Sequence, residues 1–595
     1  MMDGPRGQER AGRPILFALA LAAAIGAAAL AISGGFYVRI LGFRVSSHGG
    51  LRPALFSVLF AIIAYRRMPV WQQGSVERQV TDGGRRLLPW IAPVAAALVL
   101  GFCFGYGTRA AGGSDSYGYV SQARLWLTGD LRVHQDFVAS VPWPNADRSF
   151  TPLGYRPAER HTLVPSYAPG LPLLMALFLK VGGSCGPFVV SPLSSALLIL
   201  LTAVLGSYVS GRATGALAAL LTATSPTILM MSLWPMSDVP AAAFWMLSLV
   251  LAWQRSSFTA AVLSGISAGM AILIRPNLAP LAVFPGGMVA WRAAAETGAP
   301  AQRLMPFALA CVPFVVLVAW VNHNLYGSFL TSGYGEASSI YHWQNLWANL
   351  HRYPRWLWES QGPYVFASLF AVAIPPGPKP ESRFLRWILI AYIATVFGCY
   401  LFYRPFDDWW YLRFVIPAMP AMFVLSIDAI WQGVRRFGWR VQGMTAAIFT
   451  ALSLSHAIGY TRLHAVFDIG DGEQKYADVG RYLGRDLPPE TVVITGLHSG
   501  SIRLYGHLRT LRVDLLDGAW LDRAIDHLKS EGPSPYLVLE GSEIPNFRER
   551  FANQKAVTLV DRPAVAVHSR HVYVYSTDSL RSGDPEIIPH TAGCK

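Results

Sequence analysis

The sequence predicts an α-helical polytopic membrane protein that ends in a small α/β domain, and three observations carry that prediction. Charged residues make up 14% of the 595 residues, against about 25% in soluble domains. Hydrophobic residues reach 53%, mean hydropathy is +0.35, and long apolar runs recur between residues 14 and 460. Beyond residue 462 polar residues return in helix-like and strand-like patterns.

Thirteen segments read as membrane spans: 14–34, 53–69, 89–108, 188–210, 213–231, 237–254, 258–274, 276–292, 304–325, 361–376, 386–403, 411–432 and 441–460. The first follows Arg6, Arg10 and Arg13 and, at about twenty residues, exceeds a signal-peptide core, so it reads as an uncleaved anchor. Residues 168–183 (APGLPLLMALFLKVGG) are a further apolar stretch, short and broken by proline. Laid on the membrane surface, with a cytoplasmic N-terminus, it puts ten Lys and Arg of the later loops on the cytoplasmic side and five opposite. Letting it span reverses that tally, against the positive-inside rule. The expected topology therefore has about 13 transmembrane helices, an external loop at 109–187 and an external C-terminal domain.

Two breaks are written into the spans. Residues 258–291 are apolar throughout except at Arg275-Pro276-Asn277. One helix of that length would run about 50 Å against a hydrocarbon core of roughly 30 Å. Proline disfavours helix in the residue before it, which locates the break at Arg275. WPMSDVP (234–240) breaks the preceding pair in the same way, with Pro235 and Pro240 bracketing Asp238. In the C-terminal region GEQKYADVGRYLGRDL (472–487) reads as a helix and TVVITGLH (491–498) as a strand entering an SGS turn. A strand at 508–516, a helix at 521–531, a strand at 535–540 and two late strands near 556–575 complete an α/β domain. The expected division is 1–88 for the N-terminal spans and their cytoplasmic loop and 89–461 for the main membrane domain. The α/β domain takes 462–580, and 581–595 is a disordered tail.

The net charge of +14 comes from basic residues in short loops between apolar runs, which act as topology determinants. No basic stripe with interleaved aromatics marks a nucleic-acid surface, so nucleic acid is not an expected partner. The five cysteines lack C-x-x-C spacing, and Cys103, Cys311 and Cys399 fall inside apolar runs. Neither a disulfide framework nor a metal site is expected from them.

On this topology one external face collects the loop 109–187, Asp238, Arg275, the loop 326–360, RPFDDWWYLR (404–413) and the C-terminal domain. Ionisable groups at span ends are costly to bury uncompensated, so they mark a functional face. Each also has a structural alternative. Asp115 and Asp238 suit helix caps, and Arg275 suits a snorkelling position. Trp409, Trp410 and Tyr411 suit an aromatic belt, while Arg404, Asp407, Asp408 and Arg413 could pair among themselves. His323, His342 and His351 have no ligand spacing and no tight D-x-D motif occurs, so no metal or other cofactor is expected.

These motifs, in this order, resemble the multi-spanning glycosyltransferases that use polyprenyl-phosphate sugars, the GT-C superfamily. That family includes protein O-mannosyltransferases and the bacterial transferase that adds aminoarabinose to lipid A. The likeness covers about residues 89–510: DSYGYVSQA just after a span, YAPGLPLL (167–174), and ALLTATSPTILMMSLWPMSD (219–238) with its acid near the outer face. It continues through ILIRPNLAPLAVFP (272–285), YLRFVIPAMPA (411–421) and HSGSIRLYGHLRTLR (498–512). Two spans precede the matched part, and Ser166-Tyr167 stand where lipid A transferases have an acid–base pair.

The resemblance implies sugar transfer, with inversion, from a polyprenyl phosphate to a hydroxyl of a lipid, glycan or protein acceptor. Asp115 would be the base and Asp238 would orient acceptor or sugar. Arg275 comes first among the donor-phosphate ligands, with Arg404 and Arg413 behind it. Tyr117, Tyr119 and Tyr167 would line the loop, with Tyr119, Ala123 and Trp126 holding its helix on the lipid surface. A transporter or flippase of lipid-linked sugars is the main rival, though acids near mid-span and repeated halves are not evident. A membrane-anchored scaffold is a third reading, and thirteen spans exceed what an anchor requires. Arginine outnumbers lysine 43 to 6, a habit of GC-rich bacteria, which places the protein in the bacterial plasma membrane with a periplasmic active site.

Overall fold

In a computed structural model, helical turns occupy every apolar segment expected from residue 89 onward. The structure describes residues 36–40, 43–47, 63 and 70–595, apart from 255, 374–379, 436, 438, 570, 579–583, 592 and 595. The spans expected at 14–34 and 53–69 lie outside the described residues, Ile63 excepted. Between them, β1 (Phe36–Ile40) and β2 (Phe43–Ser47) pair antiparallel.

The first helices are α1 (Val70–Tyr106), α2 (Asp115–Thr128), α3 (Gly170–Gly182), α4 (Val190–Ser210), α5 (Arg212–Thr224) and α6 (Pro226–Leu233). Next come α7 (Asp238–Trp253), α8 (Phe258–Ile274), α9 (Val283–Thr297), α10 (Ala301–Tyr326) and α11 (Asn345–Gln361). The membrane part closes with α12 (Pro380–Leu401), α13 (Met419–Val434) and α14 (Trp439–Leu463).

Both sequence-encoded breaks are present. α8 stops at Arg275, and a 3-10 turn (Pro276–Ala282) leads into α9. Chain 234–237 separates α6 from α7. The expected total of thirteen spans is not reproduced among the described residues. Six helices are long and apolar enough to cross a membrane, or seven if α5 and α6, bent by 57°, count as one. For two of the expected spans the reason is the breaks: α7 and α8 have 16 and 17 residues, about 24–26 Å of helix against a core of roughly 30 Å. The segment expected on the surface is α3, which leads through a 3-10 segment (Gly183–Val189) into α4. It does not run straight on. A Cβ at Gly186 would lie 2.0 Å from the Phe178 carbonyl oxygen, so the chain folds back on α3 before α4 begins.

The long loop holds its own sheet, unforeseen in the sequence. β3 (Val133–His134), β4 (Tyr155–Ala158) and β5 (Thr162–Pro165) pair antiparallel in the order β3-β5-β4. The C-terminal region adds α15 (Ile469–Asp486) and α16 (Leu521–Glu531). Its strands are β6 (Val492–Thr495), β7 (Arg509–Arg512), β8 (Tyr536–Glu540), β9 (Ala566–His568), β10 (Val572–Ser576) and β11 (Glu586–Ile587). They form one sheet in the order β11-β9-β10-β8-β6-β7, with β8, β6 and β7 parallel and β8, β10 and β9 antiparallel.

Loop and C-terminal region share a core. Val138, Trp143 and Phe150 pack in one cluster with Leu511, Phe547 and Phe551. Hydrogen bonds join them too: Ala111 N to Tyr505 Oη at 2.8 Å, Leu153 N to Ser499 Oγ at 3.2 Å, and Arg503 Nη2 to the Phe150 carbonyl at 2.5 Å.

Two expectations need correction here. The tail, read as disordered, carries β11, which pairs in parallel with β9. Its Cys594 forms a disulfide with Cys185, which follows α3. The disulfide escaped the sequence because its two cysteines are 409 residues apart and the other three fall in apolar runs.

Candidate functional site

Two helix starts, a helix end and a 3-10 turn bring four charged residues together. Asp115 is the first residue of α2 and Asp238 the first of α7. Neither caps its helix. Ser114 and Ser237 hold the capping positions without side-chain caps, and both carboxylates are turned onto arginines. Arg275 Nη2 donates to Asp238 Oδ1 at 2.6 Å, and Arg413 Nη2 donates to Asp115 Oδ2 at 2.7 Å. Arg413 stands on the 3-10 helix Trp409–Ala418.

The pairs are linked through residues 236–238. Arg275 Nε donates to Ser237 Oγ at 3.1 Å, as does Tyr119 Oη at 2.9 Å. Arg275 Nη1 donates to Tyr400 Oη at 2.9 Å, so every nitrogen of Arg275 has a partner. Arg413 is less committed: Nη1 reaches only the Met236 sulfur at 3.5 Å, and its buried Nε has no partner among the described residues. Aromatic faces surround its guanidinium, with Trp410, Tyr411 and Phe414 centroids at 5.2, 5.4 and 5.3 Å. Asp238 Oδ2 is likewise buried and unpartnered among the described residues.

Asp115 is the accessible member of the quartet. Its side chain is 24% exposed, against 1% for Asp238, 11% for Arg275 and 9% for Arg413. Oδ1 accepts from Tyr167 Oη at 2.6 Å, and the same hydroxyl lies 2.8 Å from Ser114 Oγ. Burial alone would raise the Asp115 carboxyl. The Arg413 charge and the bonds from Tyr167 and Arg413 outweigh it and hold the carboxyl below its ordinary value. Tyr167 is pushed well above the usual phenol range, first by burial and then by Asp115, so it remains a donor. Each carboxylate faces a guanidinium, so the quartet is balanced in charge.

The sequence-derived residues thus separate into two groups. Asp115, Asp238, Arg275, Arg413, Tyr119 and Tyr167 meet in one cluster. Tyr117 does not: its ring packs on Tyr155 at 5.7 Å and against Gly500 of the C-terminal region. Arg404 is exposed and outside the cluster. The structural alternative in which Arg404, Asp407, Asp408 and Arg413 pair among themselves does not hold, since Arg413 binds Asp115 and Asp407 binds Arg352. Tyr119 and Ala123 do not face lipid either. Both are buried inside the protein, and Tyr119 reaches Ser237. Sequence reasoning missed Ser237 and Tyr400. Ser237 was readable, being next to Asp238 at the break, but Tyr400 is one aromatic residue in an apolar run.

By sequence, no family model and no curated protein matches the chain. Solved structures do. ArnT from Cupriavidus metallidurans bound to undecaprenyl phosphate aligns with a TM-score of 0.52 at 14% identity, over 83% of this chain and 99% of that one. Its apo state aligns at 0.50 and 16% identity, over 84% and 98%. The oligosaccharyltransferase of Archaeoglobus fulgidus is more distant, at 0.45 and 12% identity over 84% and 75%. At such identities the likeness speaks to the fold alone: most of this chain shares the fold of the ArnT structures.

Proposed function

We propose that this protein is a membrane glycosyltransferase that moves a sugar from a polyprenyl-phosphate donor to a hydroxyl acceptor. The observation that carries this reading is the paired quartet Asp115–Arg413 and Asp238–Arg275, with Arg413 Nε and Asp238 Oδ2 buried and unpartnered beside it. Buried polar atoms without partners are rare in folded proteins and fit groups that await a ligand.

In the proposed reaction the acceptor oxygen attacks the anomeric carbon, the bond from that carbon to the phosphate oxygen breaks, and the hydroxyl proton passes to Asp115. Inversion follows from attack opposite the leaving group. Arg413, with donors to spare, is the first candidate for the leaving phosphate; Arg275, wholly engaged by Asp238, Ser237 and Tyr400, orients Asp238. This reverses the order of preference that the sequence suggests for the two arginines. A phosphate that draws Arg413 away from Asp115 removes the charge that holds the carboxyl down, so donor binding raises the basicity of the base. Asp238 Oδ2 would accept from a sugar or acceptor hydroxyl.

The site faces the same side as the loop 109–187 and the C-terminal region, which bond to each other. The Cys185–Cys594 disulfide joins that side and suits an oxidising compartment. Both support an external site in a bacterial plasma membrane, periplasmic in a diderm. Lipid, glycan and protein remain the acceptor classes.

The test is sugar transfer in proteoliposomes, with a panel of radiolabelled polyprenyl-phosphate sugars and a membrane extract as acceptor source. Transfer by the wild type and its loss in folded Asp115→Asn support the assignment. Intact labelled lipid crossing the bilayer, with no donor consumed, would replace the transferase by a transporter.

A further inference from the structure

We propose that Asp478, His568 and His590 form a site for a divalent metal of the zinc class in the C-terminal region. Asp478 stands on α15, His568 ends β9, and His590 lies in the tail just after β11. They are 90 and 22 residues apart in sequence, yet one ligand atom from each falls within 4.8 Å of the others. His568 Nε2 is 3.1 Å and His590 Nδ1 3.0 Å from the same carboxylate oxygen, Asp478 Oδ2.

The surroundings are those of a built site. Oδ1, the other oxygen of Asp478, accepts from Thr591 N at 2.9 Å, Thr591 Oγ1 at 2.6 Å and Gln474 Nε2 at 2.9 Å. That oxygen is filled and the carboxylate plane is fixed, which leaves Oδ2 aimed at the two imidazoles. His590 Nε2 lies 3.3 Å from Ser569 Oγ, an outer partner of the kind that sets the tautomer of a metal-bound histidine. The imidazole planes are nearly perpendicular, at 81°, so the rings meet edge to face instead of stacking.

Distance and charge agree with a metal. Bonds of about 2.0–2.1 Å in a tetrahedron put neighbouring ligand atoms roughly 3.3 Å apart, so the observed 3.0 and 3.1 Å need only a few tenths of an ångström of opening. Asp478 and His568 are fully buried. A buried carboxylate calls for a positive partner or a metal, and among the described residues the ion-pair partners of Asp478 are these two histidines. Two nitrogens and one oxygen suit zinc, where calcium and magnesium take all-oxygen shells. The His590 side chain is 63% exposed, which opens the fourth position to water. The metal would fasten the tail to α15 on one side of Gly593 while the disulfide fastens Cys594 on the other.

The experiment uses full-length protein in detergent, its affinity tag removed and no chelator used. Metal content is measured first; the protein is then stripped with EDTA and titrated with Co(II), following its visible absorption and the thermal midpoint. Wild type should bind one metal per chain with a tetrahedral cobalt spectrum and a raised midpoint. His590→Ala, at an exposed position that folding tolerates, should weaken binding by more than the roughly 10–100-fold that loss of an outer partner costs. His568→Ala should abolish it. A wild type that binds no cobalt, or a His590→Ala protein that binds it undiminished, overturns the proposal.

Discussion

At the scale of single residues, the bond from Tyr167 Oη to Asp115 makes a pH prediction. In the free protein the carboxyl sits below its ordinary value, so its ionised, proton-accepting form persists into more acid solution than a free aspartate's, and the acid limb of kcat/KM lies correspondingly low. Tyr167→Phe removes one of the contacts that lower it. The limb should then move to higher pH, while kcat at neutral pH falls about tenfold as the base loses its orientation. A pH–rate profile of both proteins checks this; an unmoved limb would mean that another group governs it. The arginines are separable by the same logic. Arg413→Lys keeps the charge and loses the fork, so donor KM should rise about tenfold with a smaller change in kcat. Arg275→Lys, which frees Asp238, should instead act mainly on kcat. Initial rates against donor concentration distinguish the two, and a KM effect confined to Arg275→Lys would return the phosphate to that residue. These four charged residues were legible in the sequence because a charge at a span end needs a partner. The pairing was not legible: Asp115 and Arg413 are 298 residues apart, and only the packed fold says which acid meets which arginine.

At the scale of elements, the site depends on two close approaches that only glycine allows. Gly170 opens α3 against the end of α8, where a Cβ would stand 2.4 Å from Ile274 N and 2.5 Å from the Leu273 carbonyl carbon. Arg275 follows directly. Gly170→Ala must therefore push α3 off α8, at a cost of about 1–3 kcal/mol, and displace Arg275 with it. Its thermal midpoint and transfer rate should both fall, whereas Gly287→Ala, inside α9 with nothing within 4 Å, should leave the rate unchanged and the midpoint equal or slightly raised. Equal behaviour of the two variants would refute the close approach. On the other side of the site, the C-terminal region holds the turn before α2. Tyr505 Oη accepts from Ala111 N, and Gly112 lies against the Tyr476 ring. Proline and charge made the breaks at 234–240 and at Arg275 readable beforehand. The span count was less readable, because hydropathy marks apolar segments without saying whether a helix of 16 or 17 residues crosses, tilts or stops short.

At the scale of the whole molecule, a further buried ion pair, beyond the two at the site, lies away from it. Arg386 and Tyr400 share α12, and the fourteen-residue step from one to the other amounts to about 21 Å of helix. Tyr400 bonds Arg275 at the site, while Arg386 Nε meets Asp428 Oδ2 at 2.7 Å and Nη2 meets Oδ1 at 3.0 Å near the end of α13. Ser210, at the end of α4, bonds the same carboxylate. Three helices are thus tied at one end of the bundle, as residues 236–238, Arg275 and Tyr400 tie α7, α8 and α12 at the other. Breaking a buried pair strands a charge, so Asp428→Ala should destabilise the protein by about 3–5 kcal/mol. Replacing both partners with leucine removes the stranded charge and should recover most of that loss. Neither variant touches the candidate site, so donor KM should match the wild type in whatever fraction remains folded. Thermal unfolding in detergent, read beside donor KM, separates the two effects. A stable Asp428→Ala protein with a raised KM would show instead that this far pair is coupled to donor binding, and the division of labour between the two ends of the bundle would fail.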